Sequence, residues 1–142
     1  MDMYKLAVDD MESADTLFNA CKYRNSIYMY CMAVEKFLKS KIDYVEHPSE
    51  LEVNHDVVGL IRCLNAKYPF NGDFRFITVV RKYFNESRYP YTPKEIDEVF
   101  TKDFAMEFQR YTADIKNYID NDVNADLKDL EQYFANSDKK NS

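Results

Sequence analysis

Two histidines, His47 and His55, are the side chains whose unperturbed titration falls near neutral pH, so they are the first candidates for acid–base work or metal ligation. A metal site needs ligands at fixed spacing, such as two histidines one helical turn apart, and no such pair occurs. Neither a metal nor another cofactor is expected. His55 stands beside Asp56 at the start of a helical segment, where a locally hydrogen-bonded histidine is the simplest reading. Cys21, Cys31 and Cys63 are odd in number and lack C-x-x-C spacing. Each falls on an apolar stripe, so all three are expected to be buried free thiols. No nucleophile elbow, phosphate-binding P-loop or G-x-G-x-x-G run is present. The residues therefore carry no catalytic centre of a familiar kind. Lys36 and Lys39 remain as point charges suited to a phosphate, although Glu35 and Lys39 also make an ordinary i,i+4 pair.

Charge narrows the partners. The chain is acidic, with a net charge of −6, which disfavours nucleic-acid binding by bulk charge. The distribution is uneven, however. Residues 22–41 carry Lys22, Arg24, Lys36, Lys39 and Lys41 against Glu35 alone, and residues 75–88 carry Arg75, Arg81, Lys82 and Arg88 against Glu86. The first residues are acidic and amphipathic, unlike a secretory signal, and no apolar run is long enough to span a bilayer. A cytoplasmic protein is expected.

Long segments with few breakers must position these groups. Only two glycines and four prolines interrupt 142 residues, which points to an all-α fold. Ala7, Met11, Ala14, Leu17, Phe18 and Cys21 give a first helix its stripe. A second, from about Asn25 to Tyr44, is apolar on two sides: Ile27, Cys31, Val34, Phe37, Leu38 and Val45 on one, Tyr28, Met29 and Met32 on the other. Such a helix is either central or part of a subunit interface. Val57, Leu60, Ile61 and Leu64 predict a third helix capped by Asn54, and Asp73 caps a fourth bearing Phe76, Ile77, Val80, Tyr83 and Phe84. Thr92 and Pro93 restart a helix, with Glu95 as the capping-box acid. After a break near Thr101 comes a long helix through Phe104, Phe108, Tyr111, Ile115 and Ile119, then a short one through Val123, Leu127, Leu130 and Phe134. The expected architecture is an up-and-down four/five-helix bundle with a short extra C-terminal helix: one domain over 1–135 and a disordered tail over 136–142.

Three segments then resemble a known family. MAVEKFLKSKI is similar to the second-helix signature of the HEPN domain, NHDVVGLIRCL to its histidine–aspartate helix, and ESRYPY to its arginine–tyrosine–proline element. They occur in the family's order over about residues 5–120. The resemblance implies a helical bundle, often a homodimer, frequently encoded beside a small nucleotidyltransferase in a toxin–antitoxin-like pair. It marks Lys36, Lys39, His55 and Arg88 as candidate ligand contacts, and Glu35, Asp56, Tyr89 and Pro90 as motif residues. Ribonuclease members carry a histidine four to six residues after an arginine, and neither His47 nor His55 follows one at that distance.

The resulting expectation is a non-catalytic HEPN-like binding module. It would be a homodimer covering Tyr28, Met29 and Met32, and would bind a nucleotide, an RNA phosphate or a nucleotidyltransferase partner. The alternative is a divergent metal-independent ribonuclease toxin that brings Arg88 to His55. Arg88 is also expected to clamp carbonyls at the end of the fourth helix, or Glu35.

Overall fold

The computed structural model describes residues 2–42, 56–90, 92–124 and 133–136. Six α-helices occur among them: α1 (Met3–Asn19), α2 (Tyr23–Ile42), α3 (Val57–Lys67), α4 (Phe74–Glu86), α5 (Pro93–Glu98) and α6 (Lys102–Asn117). A π-helical turn, Tyr118–Val123, continues α6, one helical turn covers residues 133–136, and no strand is present among the described residues. The fold is an all-α bundle, as the spacing of apolar residues predicts.

Short polar side chains start these helices by accepting backbone N–H groups that have no partner within the helix. Asp2 accepts from Lys5 at 3.1 Å, Asp73 from Arg75 at 2.8 Å and Thr101 from Phe104 at 3.2 Å. The third helix corrects an expectation. Asp56, rather than Asn54, is its cap, accepting from Val58 N–H at 3.0 Å, because α3 begins only at Val57.

The turn from α1 into α2 decides the hairpin. Lys22 N–H donates to Leu17 O at 2.8 Å and Cys21 N–H to Phe18 O at 3.0 Å, the paired bonds of a Schellman stop. That stop needs a left-handed residue, and Cys21 takes it at φ 61°. Cys21 is therefore exposed at the turn instead of buried on the stripe; Cys63 is half-buried, and Cys31 alone is fully buried.

α2 is the central helix and touches α1, α3, α4, α6 and the π-helical turn. Ile27, Cys31, Val34, Phe37 and Leu38 are all buried, beside Ile61 and Leu64 of α3, Val80 of α4 and Phe108 and Ile115 of α6. Its second apolar side is largely covered from within: Tyr28 meets Phe84 of α4 edge-on at 5.9 Å, and Tyr28, Met29 and Met32 are half-buried. The central position accounts for much of the two-sided apolar pattern.

Polar contacts fix the helix directions. Tyr4 donates to Asp120 at 2.6 Å near one end, and Gln109 donates to Asp15 at 3.1 Å nearer the other, so α1 runs antiparallel to α6. Ser26 Oγ donates to Ala14 O at 3.0 Å and Lys36 pairs with Asp10, so α1 is also antiparallel to α2. Consequently α2 and α6 begin at the same end of the bundle. The expected short helix through Leu127 and Leu130 falls mostly outside the described residues, as do the tail beyond Asn136 and both histidines.

Candidate functional site

The two lysines of the second-helix motif are held in ion pairs. Lys36 Nζ lies 2.5 Å from the buried Asp10 carboxylate and ties α2 to α1; Lys39 Nζ lies 2.7 Å from Glu35 on its own helix. In both pairs the side chains are mostly covered, at 23% and 13% exposure for the first and 17% and 13% for the second. Half-buried pairs of this kind lock geometry more than they add stability. A phosphate reaching either ammonium would compete with a carboxylate already in place.

Asp56 is likewise engaged, by its cap to Val58 and by a loose approach of Arg81 at 3.8 Å. His55, the intended partner of Arg88, lies outside the described residues.

Arg88 departs from its expected role. It is exposed and pairs with no carboxylate among the described residues; its guanidinium instead lies 5.6 Å from the Tyr28 ring and 5.2 Å from the Tyr89 ring. The carbonyl clamp is provided by Arg24, whose Nη1 donates to Ser87 O at 2.7 Å. The physical reason is reach. Arg24 lies one helical turn before Tyr28 on α2 and projects from outside onto the end of α4, whereas Arg88 follows that end and swings outward over the rings.

The result is an exposed edge. Asn85 O accepts from both Arg88 N–H at 3.1 Å and Tyr89 N–H at 3.0 Å, extending the turn of α4 before Pro90 stops it. Tyr89 is 69% exposed, the most exposed large hydrophobic side chain among the described residues. Arg75, Thr78, Lys82 and Asn85 form the solvent face of α4 leading to it, as their spacing predicts. A guanidinium flanked by a half-buried and an exposed ring can contact an anion while offering a flat face for stacking. The roles of Arg24 and Tyr28 are not legible in the sequence; the run of cations in residues 22–41 is the only signal of the former.

The chain matches the family model of the HEPN domain over residues 1–136. It belongs to the HEPN domain family. No curated protein and no solved structure matches it. Within this HEPN fold the motifs divide by duty: the α2 segment supplies the Lys36 pair that ties it to α1, the α3 segment supplies its own cap at Asp56, and Arg88 and Tyr89 after α4 face solvent. Among the described residues no group of three metal-ligating side chains is gathered, and no helix is long and apolar enough to cross a membrane.

Proposed function

We propose that this HEPN domain is a non-catalytic binding module for single-stranded RNA, gripping a phosphate with Arg88 and stacking a base on Tyr89. The observation that carries this reading is the Arg88 guanidinium, exposed, without a carboxylate partner among the described residues and beside two tyrosine rings. Base–aromatic stacking with a neighbouring cation is the general chemistry of single-strand binding. Arg75 and Lys82 on the solvent face of α4 supply further positive charge despite the acidic whole. A free nucleotide presents the same phosphate and ring, and is the shorter form of the same ligand. The family's tendency to pair, with itself and with small nucleotidyltransferases in toxin–antitoxin-like systems, supports a homodimer and a partner of that kind.

Fluorescence anisotropy with a labelled single-stranded RNA tests it. Arg88→Ala should weaken binding and lower the salt slope by about one counterion, and Tyr89→Ala should cost about 1–3 kcal/mol of binding. Unchanged affinity in both variants, with the fold intact, would sink the reading. Metal-free cleavage of RNA that disappears in His55→Ala would establish the ribonuclease alternative in its place.

A further inference from the structure

Because α2 and α6 start at the same end of the bundle, the α1–α2 turn faces the α5–α6 junction there. Between them lies an open cleft of about 510 Å³, lined by neither Arg88 nor Tyr89.

The cleft is cationic and aromatic in an acidic protein. Lys22 and Arg24 come from the start of α2 and Lys102 from the start of α6, against the single carboxylate of Asp97. Arg24 spends one N–H on Ser87 O, and a guanidinium has five, so donors remain. The apolar walls are Tyr23, Ile96 and Phe100. Tyr23 meets Phe18 ring to ring at 5.7 Å and Phe100 is buried against the core, so both are held in place. Such a surface suits a peptide that brings carboxylates together with aromatic side chains.

The chain carries a peptide of that kind itself. Residues 126–134, DLKDLEQYF, hold Asp126, Asp129 and Glu131 against Lys128 alone, next to Tyr133 and Phe134. Those two rings stand 5.7 Å apart and are 68% and 63% exposed, so a single copy of the chain leaves the pair uncovered. Adjoining exposed aromatics mark a contact surface. α6 begins at the cleft and over its 16 residues carries the chain about 24 Å away from it, so the segment departs from the opposite end. Two copies lying side by side and antiparallel put each segment beside the other's cleft, and this reciprocal exchange closes on a two-fold axis. We propose that the cleft docks residues 126–134 of a second copy, with carboxylates on Lys22, Arg24 and Lys102 and rings against Tyr23, Ile96 and Phe100. The proposal rests on the homodimer reading and gives that dimer a specific contact.

Fluorescence anisotropy of a labelled peptide of residues 124–136 tests the docking. The acceptor is the full chain bearing Tyr133→Ser and Phe134→Ser, so that its own segments do not compete. Lys22 and Lys102 are exposed, so adding Lys22→Glu/Lys102→Glu should leave the acceptor folded, which its melting temperature verifies. The peptide should bind the first acceptor, and charge reversal in the cleft should weaken binding about tenfold or more. A peptide with Asp126→Lys and Asp129→Lys should recover affinity for the reversed cleft, and a scrambled peptide of native composition should not bind the first acceptor. Light scattering of the unaltered chain reads the homodimer separately. A dimer whose cleft ignores the peptide removes this proposal alone, whereas a chain monomeric at every concentration measured removes both readings. Peptide binding that survives charge reversal, a scrambled peptide that binds equally well, or no binding at millimolar concentration overturns the proposal.

Discussion

Removing Arg24 should destabilise this protein more than removing Arg88, although Arg88 is the arginine in the family's motif. Arg24 Nη1 donates to Ser87 O at 2.7 Å, and Ser87 is fully buried just past the last turn of α4. Pro90 follows, so the chain cannot extend the helix to supply another donor. A hydrogen bond to a charged group contributes about 1.5–3 kcal/mol, and an orphaned buried carbonyl costs about 1–3 kcal/mol. Arg24 is only half-buried, so water can partly replace it, and the lower half of that range applies: about 2 kcal/mol. With an unfolding entropy of ~0.3 kcal/mol/K for a chain of this length, Tm should fall by roughly 7 °C. Arg88→Ala removes two cation–ring contacts at an exposed site, worth about 0.5–1 kcal/mol in all, or roughly 2–3 °C. Urea denaturation and calorimetry of the two single variants measure both numbers, and Arg24→Lys, which keeps one donor, should recover part of the loss. An Arg88→Ala cost equal to or above that of Arg24→Ala would refute the assignment of the clamp.

Three further outcomes follow from local geometry. Cys21→Gly should raise stability by about 0.5–1 kcal/mol, since glycine takes the left-handed position at φ 61° without its steric cost; a lower melting temperature would contradict this. Gly72→Ala should cost about 1–3 kcal/mol by overpacking, because its new methyl would stand 2.2 Å from Phe70 Cζ and that ring is enclosed by Phe74, Tyr111 and Tyr118. Burial pushes the hydroxyls of Tyr30, Tyr111 and Tyr118 well above their ordinary value, with Asp15 adding to the effect at Tyr30. These phenols stay neutral in the fold while the unfolded chain ionises near pH 10. Their contribution is thus complete below that pH and is lost as pH rises toward the folded values, at about 1.4 kcal/mol per unit for each tyrosine. The urea midpoint should drop steeply between pH 10 and 11 and less so in Tyr30→Phe; a midpoint unchanged over that interval would count against the buried phenols.

What could be read from sequence, and what could not, follows the range of the interaction. Asp73 announces its helix because a cap acts within three residues, and Val57, Leu60, Ile61 and Leu64 announce a buried stripe because helical period alone sets it. Asn54 and Asp56 carry nearly the same local signal, and only the actual start of α3 at Val57 separates them. Cys21 reads as a stripe residue because the turn contains no glycine to mark the left-handed stop. The contacts that define the candidate site are long in sequence: Lys36 meets Asp10 from 26 residues away, and Arg24 meets Ser87 from 63. Proximity to Pro90 favoured Arg88 as the clamp; nothing local reveals that an arginine on α2 already holds that carbonyl. That exchange carries the functional argument. A motif residue committed to a cap or a covered pair, as Asp56, Lys36 and Lys39 are, must break a contact before it can hold a ligand. Arg88 is relieved of structural duty by Arg24 and rests on rings instead of a carboxylate. Of the described motif cations, it can therefore meet an incoming phosphate without first giving up an ion pair.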